Sequence, residues 1–429
     1  MRLPPGTIAG MALTDVERMV VDAIDIDGVL ADLAALVAMP SVGGSDAEVA
    51  IQQWCAERLA DSGARVDHWK LDLAELRESA GYPGEEVDRT EAYGCVGLFG
   101  DRAEPPALIL AGHTDVVPAG DLGLWTHHPW QLARAGDALY GRGAVDMKAG
   151  VAAILAALRA LRSGGVSLRR PLAIHAVIGE EDGGLGAYAT LRRGHLGGAC
   201  IIAEPTDACV ITANAGSLTF RLDVPGRAAH GSSRLDGYSA IDAATPLLAA
   251  LRELESQRNR DVDPLLAHLD LPYPISVGMV RAGDWASTVP DLLVAEGRYG
   301  VRLDEPVDNA RADFEAAIAR ACAADSWLAD HPARVSWPGG TFASGRLPHG
   351  HGLVEDVNRA AADVTGQRPT TRGAPYGSDL RLYATAGVPT VQLGPGSVAR
   401  AHTTDECVRL SEIVSFARTY AVLALRLCG

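Results

Sequence analysis

The chain has 429 residues, of which 48% are hydrophobic and 21% are charged, and its formal net charge at pH 7 is -16. This length predicts two or three domains, and the acidic balance argues against nucleic acid or an anionic membrane as a partner, since both bind basic surfaces. No apolar run reaches the roughly 18 residues of a membrane span, and the first twenty residues lack the pattern of a signal peptide.

Helical and strand patterns alternate in the first two hundred residues. Apolar residues recur at helical spacing in "DIDGVLADLAALVAM", "DAEVAIQQWCAERLADSG" and "MKAGVAAILAALRALRSGG". Nearly continuous apolar runs, typical of strands buried on both faces, occur in "PPALILAG", "RRPLAIHAVIG" and "GGACIIAEP". This order predicts an α/β fold with a mainly parallel sheet flanked by helices.

The pattern changes near residue 214. The segments "SLTFRLDVPG", "PYPISVGMVRAG" and "STVPDLLVAEGRYGVRL" indicate strands, with a helix after the first and another after the third. The α/β alternation then returns. We therefore predict a catalytic domain formed by residues 1–213 and 341–429, with a smaller α+β domain inserted as residues 214–340.

Histidine and acidic residues collect where the predicted strands end. They are His113 and Asp115 after "ALILAG", Glu180 and Glu181 after "AIHAVIG", Glu204 after "ACIIA", His402 after "PTVQLGPG", and Asp146 before the "MKAGVAAIL" helix. Ligands of open α/β sheets bind beyond the carboxyl ends of the strands, so these residues can meet in space. Taken singly, Asp146 is explained as a helix cap and the glutamate pair as a solvated turn. Their joint position favours a shared site.

The spacing of these residues suits a pair of metal ions. His113 and Asp115 lie two residues apart, so in an extended segment the aspartate can accept the second N–H of the imidazole. Glu180 and Glu181 are adjacent and point in opposite directions, so one can bind metal while the other transfers protons. Two imidazoles and three carboxylates form two ligand sets if one aspartate bridges. Mixed nitrogen and oxygen ligands suit Zn, Co or Mn.

Cysteine does not contribute to this site. The seven cysteines are scattered and form no Cys-x-x-Cys pair. An odd, scattered set is typical of reduced thiols rather than of a disulfide framework or a cysteine zinc site. We therefore expect a cytoplasmic protein whose metal ligands are histidines and carboxylates.

These motifs, in this order, resemble those of the co-catalytic zinc hydrolases that include acetylornithine deacetylase, succinyl-diaminopimelate desuccinylase, aminoacylase and carboxypeptidase G. The resemblance covers nearly the whole chain and implies two divalent metal ions, most often Zn. It implies ligand roles for five residues: His113 and Glu204 for one metal, Glu181 and His402 for the other, and Asp146 as the bridge. It also implies that Asp115 supports His113, that Glu180 is the general base, and that the Asp146–Met147 peptide is cis.

The same resemblance implies a homodimer formed through the inserted domain. His230 in "VPGRAAHGSS" matches a histidine of the family that reaches into the active site of the neighbouring subunit. An exposed loop histidine is the ordinary explanation for such a residue.

The substrate contacts match the family less well. Many relatives have an asparagine where "WASTVPD" has Ser287, and an arginine that binds a substrate carboxylate where this chain has Gly300. Arg298, two residues earlier on the same face of the strand, is a candidate substitute. The loop "YGSDLRL" offers Ser378 and Arg381 as further candidate substrate contacts, although a surface loop with a solvated arginine explains it equally well.

We therefore expect a metal-dependent enzyme, similar to acetylornithine deacetylase, that removes a small acyl group from an N-acylated amine or amino acid. The same branch includes a deformylase of an aminomethylpyrimidine, so the substrate stays open. A dipeptidase or carboxypeptidase with the same metals is an alternative, and a non-catalytic binding protein on this scaffold is a different class. A nucleotide-binding enzyme is excluded, because "GEEDGGLGA" lacks the order of a phosphate-binding glycine motif.

Overall fold

The structure is a computed structural model and describes residues 13–100 and 104–429. The α-helices in chain order are α1 (Asp15–Asp22), α2 (Ile26–Ala38), α3 (Asp46–Asp61), α4 (Leu73–Glu78), α5 (Ala149–Ser163), α6 (Leu185–Arg192), α7 (Ala240–Arg258), α8 (Val307–Ala324), α9 (Leu353–Thr365), α10 (Leu380–Thr385) and α11 (Leu410–Cys428). The strands are β1 (Arg65–Lys70), β2 (Tyr93–Phe99), β3 (Leu108–His113), β4 (Ala133–Ala135), β5 (Ala138–Tyr140), β6 (Leu172–Val177), β7 (Cys200–Ile202), β8 (Val210–Asn214), β9 (Gly216–Pro225), β10 (Ile275–Ala282), β11 (Leu292–Val301), β12 (Arg334–Ser336), β13 (Thr341–Phe342), β14 (Gly345–Arg346), β15 (Thr371–Ala374), β16 (Thr390–Gln392) and β17 (Cys407–Arg409).

The large sheet has the strand order β1-β2-β6-β3-β7-β16-β8-β14, and β15 also pairs with β8. Its centre, β6-β3-β7-β16, is parallel. Every residue of β3 and β6 is buried, as expected for strands covered by helices on both faces. The α/β prediction with a mainly parallel central sheet is confirmed. The antiparallel pairings of β1 and β2 at one side were not predicted.

Helix α5 is buried along most of its length and packs against α11 and α2. Gly150 near its start lies close to the end of β7, since a Cβ there would come 2.2 Å from the carbonyl oxygen of Ala203. Gly394, just after β16, also lies against Ala203, and a Cβ at this position would come 2.3 Å from the same oxygen. Two glycines thus let a helix and a strand close around the residue that precedes Glu204.

The second sheet is antiparallel, with the order β10-β11-β9-β12 and β13 added to β9. Helices α7 and α8 pack on it around a separate apolar core that includes Phe220, Tyr299 and Phe314. The chain crosses from the large sheet to the second one between Asn214 and Gly216, and it returns between Phe342 and Gly345. We propose these crossings as the limits of the inserted α+β domain.

A small sheet, β17-β5-β4, completes the strand pairing and lies beside the segment that carries Asp146. The seven cysteines are buried free thiols. In residues 13–100 and 104–429, no helix is both long enough and apolar enough to cross a membrane.

Candidate metal and catalytic site

Two histidines and three carboxylates meet at the carboxyl edge of the parallel strands. His113, Asp146 and Glu204 form one group of candidate metal ligands, and Asp146, Glu181 and His402 form the other. The ligand atoms within each group lie within 4.8 Å of one another. The structure brings together the five residues that the sequence indicated as ligands, and Asp146 belongs to both groups.

The first group surrounds the His113 ring at the end of β3. Its Nε2 atom lies 3.2 Å from Asp146 Oδ1 and 3.7 Å from Glu204 Oε1. Strand register explains this arrangement, because Ala111 of β3 pairs with Ile202 of β7 and Glu204 therefore leaves the sheet beside His113. The sheet itself positions these two ligands.

The second group lies nearer the surface. His402 Nε2 is 3.1 Å from Glu181 Oε2 and 3.4 Å from Asp146 Oδ2, and the His402 side chain is 52% exposed. The backbone of His402 has a φ of 61°, in the left-handed region that is uncommon for residues with a side chain. Hydrogen bonds to Asp146 and Glu181 raise the pKa of His402 to about 10.

Asp146 connects the two groups. Its Oδ1 atom faces His113 and its Oδ2 atom faces His402. Burial alone would raise the pKa of Asp146, but its hydrogen bonds to the two imidazoles outweigh that effect and lower it. The Asp146–Met147 peptide is cis, as the family resemblance implied. A carboxylate with each oxygen directed at a different ligand group has the arrangement required of a bridge.

The donor atoms fit metal ions. His113 Nδ1 lies 3.0 Å from the main-chain oxygen of Asp115, and a proton on Nδ1 makes this contact a hydrogen bond. If Nε2 gives up the proton of its contact with Asp146 Oδ1, its lone pair faces the carboxylates of Asp146 and Glu204. A lone pair and two carboxylates repel one another unless a cation lies between them, so this geometry is suited to a cation.

Among the described residues, the candidate metal ligands Asp146, Glu181 and Glu204 pair only with the two imidazoles. In the described ranges of the chain, no lysine or arginine forms an ion pair with Asp146, Glu181 or Glu204. Burial raises the pKa of Glu180 well above its usual value, and the Glu204 carboxylate adds to the shift. Burial also raises the pKa of Glu204. Bound divalent cations would compensate this concentration of negative charge.

Asp115 supports the site differently from the prediction. Its carboxylate Oδ1 lies 3.6 Å from His113 Nδ1, beyond hydrogen-bonding distance, and the nearer acceptor is its main-chain oxygen. The Oδ2 atom instead accepts the main-chain N–H of Glu181 at 3.1 Å. A buried N–H needs an acceptor, and Asp115 supplies it from the loop that follows His113. The Asp115 side chain therefore connects the loops that carry His113 and Glu181.

Arg89 holds the loop that carries the two glutamates, and sequence reasoning missed it. Its guanidinium, which is fully buried, contacts Asp182 Oδ2 at 2.8 Å and Glu48 Oε1 at 2.8 Å. Asp182 directly follows Glu181, and it also accepts the main-chain N–H groups of residues 86 and 87. Arg89 thus ties the glutamate loop to α3.

Glu406 joins the segments that carry Asp146 and His402, and it was also missed. Its Oε1 accepts the main-chain N–H of Val145 at 2.8 Å and of Asp146 at 3.1 Å, while its Oε2 pairs with Arg142 Nη1 at 2.6 Å. Arg142 lies four residues before Asp146, and Glu406 lies four residues after His402. That equal spacing was the available signal, but nothing in the sequence shows that the two residues meet.

A cavity of about 250 Å³ opens onto the candidate ligands. It is lined by Asp146, Glu180, Glu181, Glu204, Pro205, Arg298, Tyr376, Gly377, Ser378, Val398, Ala401 and His402. Glu180, the predicted base, lies in this lining beside the metal groups. A cavity of this size accepts a small substrate.

The predicted substrate contacts divide into two kinds. Arg298 and Ser378 line the cavity. Arg381 does not: its buried guanidinium donates to the main-chain oxygens of Ser378 at 2.7 Å and Gly183 at 2.6 Å, and it stacks over Phe342. The expectation of a substrate-facing Arg381 is therefore not met, since buried carbonyl oxygens take its donors.

His230 lies outside the cavity of its own chain. It is an exposed residue at the start of a short 3-10 helix in the inserted domain. The N–H of Ser232 donates to its Nδ1 at 3.2 Å. Gly300 lies against Tyr273, where a Cβ would come 2.9 Å from the Tyr273 Cα, so an arginine at that position would have no room.

Comparison with known proteins decides the family. The sequence matches peptidase family M20/M25/M40 over residues 109–426. The chain belongs to this family. Family members are hydrolases that act on amide bonds, and this protein is therefore a hydrolase of the deacylase or peptidase type.

Two curated relatives and one solved structure illustrate the range of the family. N-formyl-4-amino-5-aminomethyl-2-methylpyrimidine deformylase of Bacillus subtilis is 26% identical over 408 residues, which cover 88% of this chain and 89% of that protein. Succinyl-diaminopimelate desuccinylase of Alkalilimnicola ehrlichii is 30% identical over 414 residues, covering 92% and 98%. The solved structure of a dinuclear metal-binding peptidase of the M20 family from Bacillus subtilis has a TM-score of 0.60 at 15% identity, covering 94% of this chain and 98% of that one. The family is thus one of dinuclear metal-binding hydrolases, and this chain has candidate ligand groups for its metals.

Proposed function

We propose that this protein is a dinuclear metal-dependent amidohydrolase that removes a small acyl group from an N-acylated amine or amino acid. The observation that carries the proposal is the pair of ligand groups that share Asp146. His113 and Glu204 would complete one metal site, and Glu181 and His402 the other. The mixed imidazole and carboxylate donors suit zinc, with cobalt or manganese as alternatives.

Two divalent cations held by these residues would supply Lewis acidity that lowers the pKa of the attacking water and polarises the amide carbonyl. Glu180 takes the proton from that water and later delivers it to the leaving nitrogen, as a general base and then a general acid. The environment of Glu180 suits this role, because a buried carboxylate with a raised pKa holds a proton more readily than a solvated one. Asp115 and Arg89 keep the glutamate loop in place during the transfer.

Arg298 supports a substrate with an anionic group. Its Nε donates to Ser217 Oγ at 2.9 Å and its Nη2 to the main-chain oxygen of Pro375 at 2.6 Å. It forms no ion pair with a carboxylate in the described part of the chain, although it is largely buried and lines the cavity. A buried guanidinium with neutral partners only is suited to a carboxylate supplied by the substrate, and Ser378 offers a neutral contact nearby.

We propose that the protein acts as a homodimer joined through the inserted domain. Strand β10 is an edge of the second sheet, and its residues Met279 and Val280 are 48% and 55% exposed. On neighbouring α7, Ile241 is 52% exposed. An open strand edge beside exposed apolar side chains is a surface that a second copy can cover.

In such a dimer, His230 of one subunit would act in the site of the other. Its Nδ1 accepts a hydrogen bond from Ser232, so the neutral ring carries its proton on Nε2 and can donate it to a carbonyl oxygen. Mixing two inactive variants, His230→Ala and Glu180→Gln, tests this role. Mixed dimers that regain part of the activity support it, and a mixture that stays inactive after subunit exchange contradicts it.

The function itself is tested by hydrolysis of formyl, acetyl and succinyl derivatives of several amines by the zinc-loaded protein, with dipeptides as the competing substrate class. We expect turnover of an N-acyl amine, loss of turnover with a chelator, and loss of nearly all kcat in Glu180→Gln. Glu75→Gln, an exposed glutamate on α4, is the matched control. Full activity of the metal-free protein would contradict the proposal, and turnover of dipeptides alone would favour the peptidase alternative.

Relatives named as deformylase and desuccinylase support an acyl-amine substrate and leave the acyl group undecided. The buried free thiols are consistent with a cytoplasmic location, which we also propose.

A further inference from the structure

Tyr376 lies in the wall of the candidate active-site cavity beside the metal groups, and the proposed mechanism does not yet use it. It follows β15 and lines the same cavity as Asp146, Glu180 and Glu204. Its ring packs against a small buried cluster of Cys209, Ile211 and Ala374. The ring is therefore anchored on its apolar side, while the side chain forms part of the cavity wall.

The Tyr376 hydroxyl forms no hydrogen bond with another group in residues 13–100 or 104–429. Two fully buried tyrosines have partners: the Tyr420 hydroxyl donates to the main-chain oxygen of Leu393 at 2.6 Å, and the Tyr383 hydroxyl lies 2.9 Å from His175 Nδ1. The buried Tyr299 hydroxyl has none among the described residues. Tyr376 itself is half-buried, and a phenol in a cavity wall can bond to water or to a bound ligand. Its hydroxyl is therefore available to a group that enters the cavity.

The charges around Tyr376 keep it a donor. Burial raises the pKa of its hydroxyl well above the usual value, and the carboxylates of Glu204, Asp146 and Glu180 raise it further. The hydroxyl is therefore neutral and protonated at physiological pH. Tyr376 is thus a neutral donor in the same cavity lining as Asp146, Glu180 and Glu204.

We propose that Tyr376 is a catalytic residue that donates a hydrogen bond to the carbonyl oxygen of the substrate amide as that oxygen becomes negatively charged. The inference rests on the proposed amide hydrolysis. The water oxygen bonds to the carbonyl carbon and the π electron pair moves to the carbonyl oxygen, where the Tyr376 O–H stabilises it without giving up its proton. The carbonyl then re-forms as the C–N bond breaks and the nitrogen receives the proton held by Glu180.

The cavity wall needs such a donor. Ser378, the other hydroxyl of the lining, is 1% exposed and its Oγ is held by the main-chain N–H of Leu380 at 3.2 Å. Pre-positioned donors directed at developing charge are among the largest contributors to catalysis. Tyr376 supplies one from the same subunit, in addition to the donor that His230 of the neighbouring subunit would provide.

The test uses the full-length, zinc-loaded protein and the variant Tyr376→Phe, which keeps the ring and removes only the hydroxyl. With the best substrate of the acyl-amine panel, we expect kcat to fall by about 30- to 300-fold and KM to change by less than about threefold. Tyr383→Phe, which removes a buried hydroxyl outside the cavity lining, is the matched control and should retain the kcat of the unmodified enzyme. A kcat of Tyr376→Phe within about threefold of the unmodified enzyme would overturn the proposal.

A binding measurement separates this proposal from the proposed function. Methylphosphonate imitates the tetrahedral, negatively charged species, and acetate imitates the planar product. Calorimetry should show that Tyr376→Phe binds methylphosphonate about tenfold more weakly and acetate less than about twofold more weakly. Equal loss for both ligands, or none for methylphosphonate, would overturn the role of Tyr376 even if no substrate had been found. Should Tyr376→Phe misfold, difluorotyrosine at position 376 keeps the hydroxyl and must keep kcat within about tenfold.

Discussion

Replacing Glu406 by Gln changes one buried charge and keeps the shape of the side chain. The carboxylate, 1% exposed, pairs with the Arg142 guanidinium, which is 3% exposed, and it accepts the N–H groups of Val145 and Asp146. A glutamine still offers one oxygen to these N–H groups. It presents a neutral amide to Arg142 and leaves that guanidinium buried without a compensating charge.

The burial of this ion pair determines how much stability the substitution removes. Removing one partner of a buried ion pair typically costs about 3–5 kcal/mol of the free energy of unfolding. Because the amide oxygen keeps its two N–H contacts, we expect the lower value, about 3 kcal/mol. Without the charged pair to Arg142, residue 406 holds the Asp146 segment less firmly relative to His402, and partners that orient metal ligands are typically worth about 10- to 100-fold in metal affinity.

Two measurements check this prediction. Urea unfolding of the metal-free protein gives the change in stability, and competition with a fluorescent zinc chelator gives the affinity for each zinc ion. Asp405→Asn is the matched control, because this neighbouring carboxylate accepts hydrogen bonds from Thr126 at the surface and should change neither quantity by more than about 1 kcal/mol. A Glu406→Gln protein whose zinc affinities stay within about twofold of the original would refute the reasoning.

Three further predictions concern other buried groups. Arg89→Met should lower the free energy of unfolding by about 3–5 kcal/mol, because Glu48 and Asp182 lose their shared partner; urea unfolding checks this, with Arg89→Lys expected to recover part of the loss. Arg298→Met should raise KM for anionic acyl-amines by at least about tenfold with little change in thermal stability, whereas Arg381→Met should lower stability by about 2–3 kcal/mol; kinetics and thermal unfolding of both variants separate the two roles. His175 is buried with a pKa lowered to about 3, so the unfolded chain binds its proton first and stability falls as the pH drops from about 6.5 toward 3. His175→Leu should reduce the loss of stability between pH 7 and pH 4.5 by about 3 kcal/mol in urea unfolding of the metal-free protein.

The part of the site that could be predicted from the sequence is the part built on strand ends. His113 and Glu204 each follow an uninterrupted apolar run, and parallel pairing brings the ends of such runs to one edge of the sheet. The sequence therefore indicates that these two residues meet. Helical and strand periodicity likewise sufficed for the α/β class.

The supporting contacts could not be predicted in the same way. Arg89 meets Asp182 from a segment far away in the sequence, and no periodicity marks either residue. Arg381 was predicted to contact substrate because it lies in a glycine-rich loop. Its guanidinium instead donates to buried main-chain oxygens. Whether a polar side chain faces a cavity or the interior depends on packing, which the local sequence does not record.

The shared position of Asp146 is tested most directly by anomalous X-ray scattering from crystals of the zinc-loaded protein, measured on both sides of the zinc absorption edge. We predict two peaks, one between His113 and Glu204 and one between Glu181 and His402, each next to a different oxygen of Asp146. A single peak, or two peaks that do not have Asp146 between them, would contradict this prediction.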